Sequence, residues 1–156
     1  MYRITVLAVG KLYEKCWQEA AQIFCTRLGA FAKLSVVEVA AEAQGATVRD
    51  DEVALREGER LLRQIPDGAF VVAMDRVGKM MSSEELSELI VREGAIGGHL
   101  VFVIGGSVGL DAAVLARAQF KVSMSKMTFT HEMARVILLE QVYRAMMIAS
   151  GKKYHK

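Results

Sequence analysis

Four short segments of the chain carry residues whose types and spacing could do chemistry. The first is the glycine-dense stretch Gly105-Gly106-Ser107-Val108-Gly109-Leu110. Glycine has no Cβ, so such a stretch either lets backbone groups approach a flat ligand or supplies a tight strand-to-helix turn. The second and third are Met74-Asp75-Arg76 and Met124-Ser125-Lys126-Met127-Thr128-Phe129, which mix soft apolar side chains with polar ones. The fourth is the closing Gly151-Lys152-Lys153-Tyr154-His155-Lys156. Tyr154 or His155 could stack there on an unpaired base while lysines contact phosphate, the chemistry of RNA binding. A solvated chain end reads equally well.

Other chemistries fit poorly. A dinucleotide site needs G-x-G-x-x-G and an acidic residue about 20 positions later; the glycines here are spaced differently, and no acid stands between Asp111 and Glu132. Gly78-Lys79 is followed by Met80-Met81 and lacks the upstream glycine of a triphosphate loop. His99, His131 and His155 are far apart in sequence, so no metal site is expected.

These segments gain meaning from the elements that precede them. Arg3–Val9, Leu34–Val39, Ala69–Met74, Leu100–Ile104 and Phe120–Ser123 read as strands, short and too apolar to face water. Glu14–Leu28, Asp50–Gln64, Asp111–Ala118 and about His131 to Ala149 read as helices, and Ser82-x-x-Glu85 opens another through a capping box. Thr130 is placed to cap the last helix and Gly151 to end it. Strand and helix in alternation predict an α/β fold, a largely parallel central sheet with helices on both faces. In such sheets ligands bind beyond the carboxyl ends of the strands, where three of the four segments fall. The last helix has almost no polar face, which suits a fold interior or a subunit interface.

Composition narrows the class. A chain of 156 residues, 53% hydrophobic and with net charge +2, suits one compact domain, here residues 1–156, and excludes intrinsic disorder. Cys16 and Cys25 stand nine residues apart on one helix and so on nearly opposite faces, which argues against a disulfide and for a reducing compartment. With no signal-peptide core and no membrane span in view, a cytoplasmic protein is expected. Residues 121–156 carry 7 Lys+Arg and 2 acids, against 13 and 16 in residues 1–120. That basic end is either a solvated tail or a surface for a polyanion.

The opening Ile4-Thr5-Val6-Leu7-Ala8-Val9-Gly10-Lys11-Leu12, the turn Val103–Leu110, the run Ser123–His131, the stretch Leu139-Glu140-Gln141-Val142-Tyr143-Arg144-Ala145 and the closing Tyr154-His155-Lys156 together carry a resemblance. In that order, over essentially the whole chain, the sequence resembles the ribosomal large subunit rRNA methyltransferase H family, a minimal branch of the SPOUT class. The resemblance implies a C-terminal trefoil knot, an exception to the usual unknotted topology. It implies S-adenosylmethionine as cofactor, held by Met74, Gly105, Met124, Ser125, Lys126, Met127, Thr128 and Phe129, with no metal. It implies a homodimer in which each active site is completed by the partner. The implied reaction is N3-methylation of a pseudouridine in helix 69 of 23S rRNA on the assembled ribosome. Two positions depart from the family: Thr130 stands where proline is usual, and Met74 where leucine is common. A different RNA nucleotide as target, or a non-catalytic ribosome-binding module, are the competing readings.

For that reaction an N3 proton held between two carbonyls must be removed or its anion stabilised. His155 is a candidate base, with Tyr154 beside it, and Arg135 or Arg144 could stabilise charge on the carbonyl oxygens.

Overall fold

A computed structural model of the protein describes residues 1–45, 47–95 and 97–154. In chain order the elements are β1 (Tyr2–Val9), α1 (Lys15–Leu28), β2 (Ala32–Val39), α2 (Asp50–Leu62), β3 (Phe70–Met80), α3 (Ser83–Gly94), β4 (His99–Ile104), α4 (Ala112–Arg117), β5 (Phe120–Ser123) and α5 (His131–Ala149). All neighbouring strands pair in parallel, in the order β2-β1-β4-β3-β5. The α/β architecture expected from the alternation is therefore the architecture found.

Chain direction decides which face each helix covers. The steps β1→β2 and β3→β4 cross the sheet one way, and β2→β3 and β4→β5 the other. With a constant crossover hand, the two sets of helices must lie on opposite faces. Accordingly Leu28 of α1, Ile90 of α3 and Leu139 of α5 pack with Ile4, Val6 and Phe102 on one face. Leu61 of α2 and Val114 of α4 pack with Leu7, Val9 and Val103 on the other. The period-2 alternation of β1 thus feeds both cores, which is why its sequence is apolar throughout. Each large side chain fully buried there stabilises the fold by about 1.5–3 kcal/mol.

The predicted caps form. Ser82 Oγ accepts from Glu85 N–H at 3.1 Å and Glu85 Oε2 accepts from Ser82 N–H at 2.8 Å, closing the capping box of α3. Thr130 Oγ1 accepts from Met133 N–H at 3.3 Å, and Gly151 ends α5 with a φ of 66°. Cys16 is exposed, Cys25 half-buried, and both are unbonded. Among the described residues no helix is long and apolar enough to cross a membrane.

One element differs from its sequence pattern. The apolar run stops at Met74, whereas β3 continues to Met80. Met74 and Lys79 both stand opposite Val122, so Asp75–Gly78 form an excursion out of the ladder. Gly78 permits the return, because a Cβ there would lie 2.7 Å from the Lys121–Val122 peptide. The Gly78-Lys79 pair is therefore explained by strand packing.

Candidate functional site

The register of three strands brings three of the sequence segments side by side. Met74 pairs with Ile104 on one flank and with Val122 on the other. Ile104 is followed at once by Gly105, and Val122 stands two residues before Met124. With adjacent strands about 4.8 Å apart, the turns after β3, β4 and β5 leave the sheet as neighbours at its carboxyl end. Beside them lies a cavity of about 170 Å³, walled by Met74, Phe102, Ser123 and Met124 and closed by Ile137 and Gln141 of α5. The loop after β5 is tied at its root: Ser123 Oγ donates to Ser125 O at 3.0 Å, and Ser125 Oγ accepts from Met127 N–H at 2.9 Å. Beyond that root Lys126, Met127 and Thr128 are exposed, and Phe129 is half-buried.

The glycine turn after β4 is built from below. A Cβ on Gly105 would lie 2.7 Å from the Gly109 carbonyl, and Gly109 itself has a φ of +88°. Glycine at 105 therefore serves the close return of its own turn, whose ends are joined by a Gly106–Gly109 bridge. Gly105-x-Ser107-x-Gly109 has the spacing of a nucleophile elbow. However, Ser107 Oγ accepts from Gln44 Nε2 at 2.6 Å, and among the described residues no histidine is hydrogen-bonded to it. Among the described residues no base activates that serine.

Beneath the turn sits Glu57 of α2, a residue the sequence pattern does not single out because α2 reads as a polar, solvated helix. Its Oε1 accepts from Glu42 N–H at 3.0 Å, and its Oε2 is buried without a hydrogen-bond partner, directly under Gly106. Desolvation pushes this carboxyl above its ordinary range, against the lowering pull of the Glu42 N–H and of Arg60. Next to it, Gly58 lets α2 approach Asp111, the cap of α4, where a Cβ would stand 2.7 Å away. The Glu57-Gly58 pair inside an otherwise periodic helix was the available signal.

The residues expected to handle the acceptor separate into two places. Arg144 donates through Nε and Nη2 to Glu140 Oε1, at 3.1 and 2.7 Å. The Tyr154 ring lies 4.8 Å from its guanidinium carbon, and the Tyr154 hydroxyl donates to the same Glu140 oxygen at 3.3 Å. The hydrogen bonds to Glu140 hold the Arg144 guanidinium above its ordinary range. Arg135, nine residues earlier on α5 and so on the opposite side of the helix, is 1% exposed. Its Nη1 donates to Glu38 Oε1 at 2.5 Å and its Nη2 to Gly10 O at 2.7 Å. His155 lies outside the described residues. Because α5 rises about 1.5 Å per residue, Arg144 stands roughly 20 Å along the helix from the turn that ends at Thr130.

The chemistry of the cavity lining suits the apolar and sulfonium parts of the donor that the resemblance implies. Its walls are apolar and thioether-rich, none of its lining side chains is charged, and Ser123, Ser82 and Gln141 supply polar atoms at the edge. Flat rings suit such walls.

Comparison with known proteins agrees with this picture. A family described as "Predicted SPOUT methyltransferase" matches residues 2–155. A protein of Clostridium acetobutylicum named ribosomal RNA large subunit methyltransferase H is 46% identical over 98% of this chain and 99% of its own. Proteins of the same name from Pelotomaculum thermopropionicum and Bifidobacterium adolescentis are 46% and 45% identical, each over 99% of both chains. Among solved structures, a probable methylase family protein from Haemophilus influenzae Rd KW20 superposes with a TM-score of 0.56 at 17% identity. It covers 98% of this chain and 70% of that one, a likeness of fold.

Proposed function

The chain belongs to the ribosomal RNA large subunit methyltransferase H family of the SPOUT class, and on that premise we propose that it methylates N3 of a pseudouridine in helix 69 of 23S rRNA, using S-adenosylmethionine, on the assembled ribosome. The observation that supports this best is the register that brings the turns at Met74, Gly105 and Met124 side by side at the carboxyl end of the sheet, next to an apolar cavity lined by Met74 and Met124. Residues 1–156 act as one cytoplasmic domain with a C-terminal trefoil knot.

Met74, Gly105 and the turn from Met124 to Phe129 hold the donor. When bound, the donor supplies an electrophilic methyl group on sulfur. The chain supplies alignment, from which much of the acceleration of an in-line displacement comes. His155 takes the N3 proton. Arg144, kept cationic by Glu140 and with its guanidinium carbon 4.8 Å from the centre of the Tyr154 ring, stabilises the charge that develops on the base carbonyls. Arg135 is less available for that role, since Glu38 and the Gly10 carbonyl already engage two of its nitrogens.

Within one chain Arg144 stands roughly 20 Å of helix rise beyond Thr130 and about one turn beyond Gln141 of the cavity wall. A second copy packed along the flank of α5 where Ile137 and Ile148 remain half-exposed would bring its own Arg144 and Tyr154 to these turns. The working unit is then a homodimer with shared sites. The test uses ribosomes from cells lacking the gene, incubated with the protein and the donor, followed by mass mapping of 23S rRNA. A single methyl on the helix 69 pseudouridine is expected; a methyl elsewhere, or none, overturns the reading. Deleting residues 152–156 is expected to abolish transfer while calorimetry finds donor affinity within a few-fold.

A further inference from the structure

A second cavity, of about 380 Å³, lies apart from the donor turns, over the edge strand β2. Each neighbouring element turns one face into it at its own period. From α1 come Gln18, Ala21 and Gln22, spaced i, i+3, i+4; from β2 Val36 and Glu38, spaced i, i+2; from α5 Arg135 and Leu139, spaced i, i+4. Lys11, just beyond β1, stands on the rim. The position has a topological reason. The chain leaves β1 through Lys11 and Leu12 toward the face of α1, so the crevice lies between α1 and α5 over the carboxyl half of the edge strand β2.

The chemistry of the crevice is specific. Its floor is apolar, with Val36 40% exposed although it points between two helices. Arg135 is nearly fully buried and its Nε has no hydrogen-bond partner, a donor that native interiors rarely leave idle. Gln18 and Gln22 place amides on one wall. Among the described residues Lys11 takes part in no ion pair. A flat ring with a hydrogen-bonding edge and a single phosphate matches floor, amides and cation together.

We propose that this crevice is a nucleotide pocket, separate from the donor site, which takes an unpaired nucleotide of the RNA near the one that is methylated. The proposal rests on the function proposed above and goes beyond it by naming a second point of RNA contact. Its placement fits that role: Arg135 follows His131, the first residue of α5 after the turn from Met124, by four residues, about 6 Å of helix rise.

The test has two arms. In the first, the methyl resonances of Ala21, Val36 and Leu139 in the full-length protein are followed by NMR during titration with uridine or adenosine monophosphate. Saturable shifts are expected, unaffected by S-adenosylmethionine and lost in Val36→Trp, which fills the floor. No shift, equal shifts with inorganic phosphate, or shifts that follow protein concentration and so report a second copy in the crevice overturn the proposal. In the second arm, Lys11→Ala and Gln22→Leu are assayed on undermethylated ribosomes. KM is expected to rise about tenfold, with kcat within twofold and donor affinity unchanged; an unchanged KM overturns the proposal. Failure of the wild-type protein to methylate ribosomes would count against the proposed function, whereas the nucleotide titration reads the pocket without any turnover.

Discussion

Glu57 and His99 pull the pH dependence of stability in opposite directions, and each can be isolated by substitution. Burial raises the Glu57 carboxyl above its ordinary value of 4.5, so its contribution is complete below that value and lost as pH rises through the folded-state pKa. Burial, then Arg3, lowers the His99 imidazole below 6.5, so its contribution is complete above that value and lost as pH falls through the folded-state pKa. Urea midpoints at about pH 5 and about pH 7.5 should therefore show Glu57→Gln gaining on the wild type at the higher pH, and His99→Gln gaining at the lower one. A parallel offset at both values would remove Glu57 from its place under the glycine turn. Gly105→Ala tests the turn itself. The added Cβ meets the Gly109 carbonyl at 2.7 Å, so the turn must open, at a cost of about 1–3 kcal/mol. Calorimetry should find donor affinity at least tenfold weaker, and unchanged affinity would separate this turn from the donor. Thr130→Pro should be mild. Its φ of −61° already suits proline, and the lost cap is offset by a stiffer unfolded chain, so denaturation should shift by less than about 1 kcal/mol.

The helices and the interior strands were legible because their signals are local. Ser82 and Glu85 are three residues apart, Thr130 directly precedes His131, and LVFVI in β4 needs no partner to be recognised as a buried parallel strand. The second half of β3 was not legible, because Asp75-Arg76-Val77-Gly78 reads as a turn and only pairing with β5 returns Lys79 and Met80 to the sheet. The same distinction separates the parts of the site. The turns at Met74, Gly105 and Met124 could be placed at strand ends from sequence alone. The Glu57–Gly106 contact, signalled locally only by Gly58 beside Glu57, and the Arg135–Glu38 pair join residues far apart in the chain. The pairing of the β3 extension can be tested at Gly78, where a Cβ would stand 2.7 Å from the Lys121–Val122 peptide. Gly78→Ala should lower stability by about 1–3 kcal/mol and speed amide exchange in residues 79–80 and 120–123, while exchange across the β1–β2 pairing stays as it was. Uniform loosening of both regions would mean that the extension is not an independent unit.

At the scale of the whole molecule the fold poses a question of distance. The proposed donor turns leave the carboxyl ends of β3, β4 and β5, and the cavity beside them reaches along α5 to Gln141, about one helical turn before Arg144. The question raised by the proposed shared sites is whether Arg144 serves the cavity of its own chain or that of a partner across a two-fold axis. Hybrid dimers decide the matter. One chain carries Gly105→Ala, the other Arg144→Ala, and differently tagged copies are co-expressed so that only hybrids are purified. If sites are shared, the Arg144→Ala chain offers intact donor turns to the intact Arg144 of its partner, and the other site carries both defects. One site in two then works, and the hybrid should methylate at about half the wild-type rate although each variant alone is nearly inactive. If each site lies within one chain, every site in the hybrid has a defect and no activity returns. Activity therefore reports which chain supplies each half, and a hybrid as inactive as its parents would end the shared-site account whatever its oligomeric state.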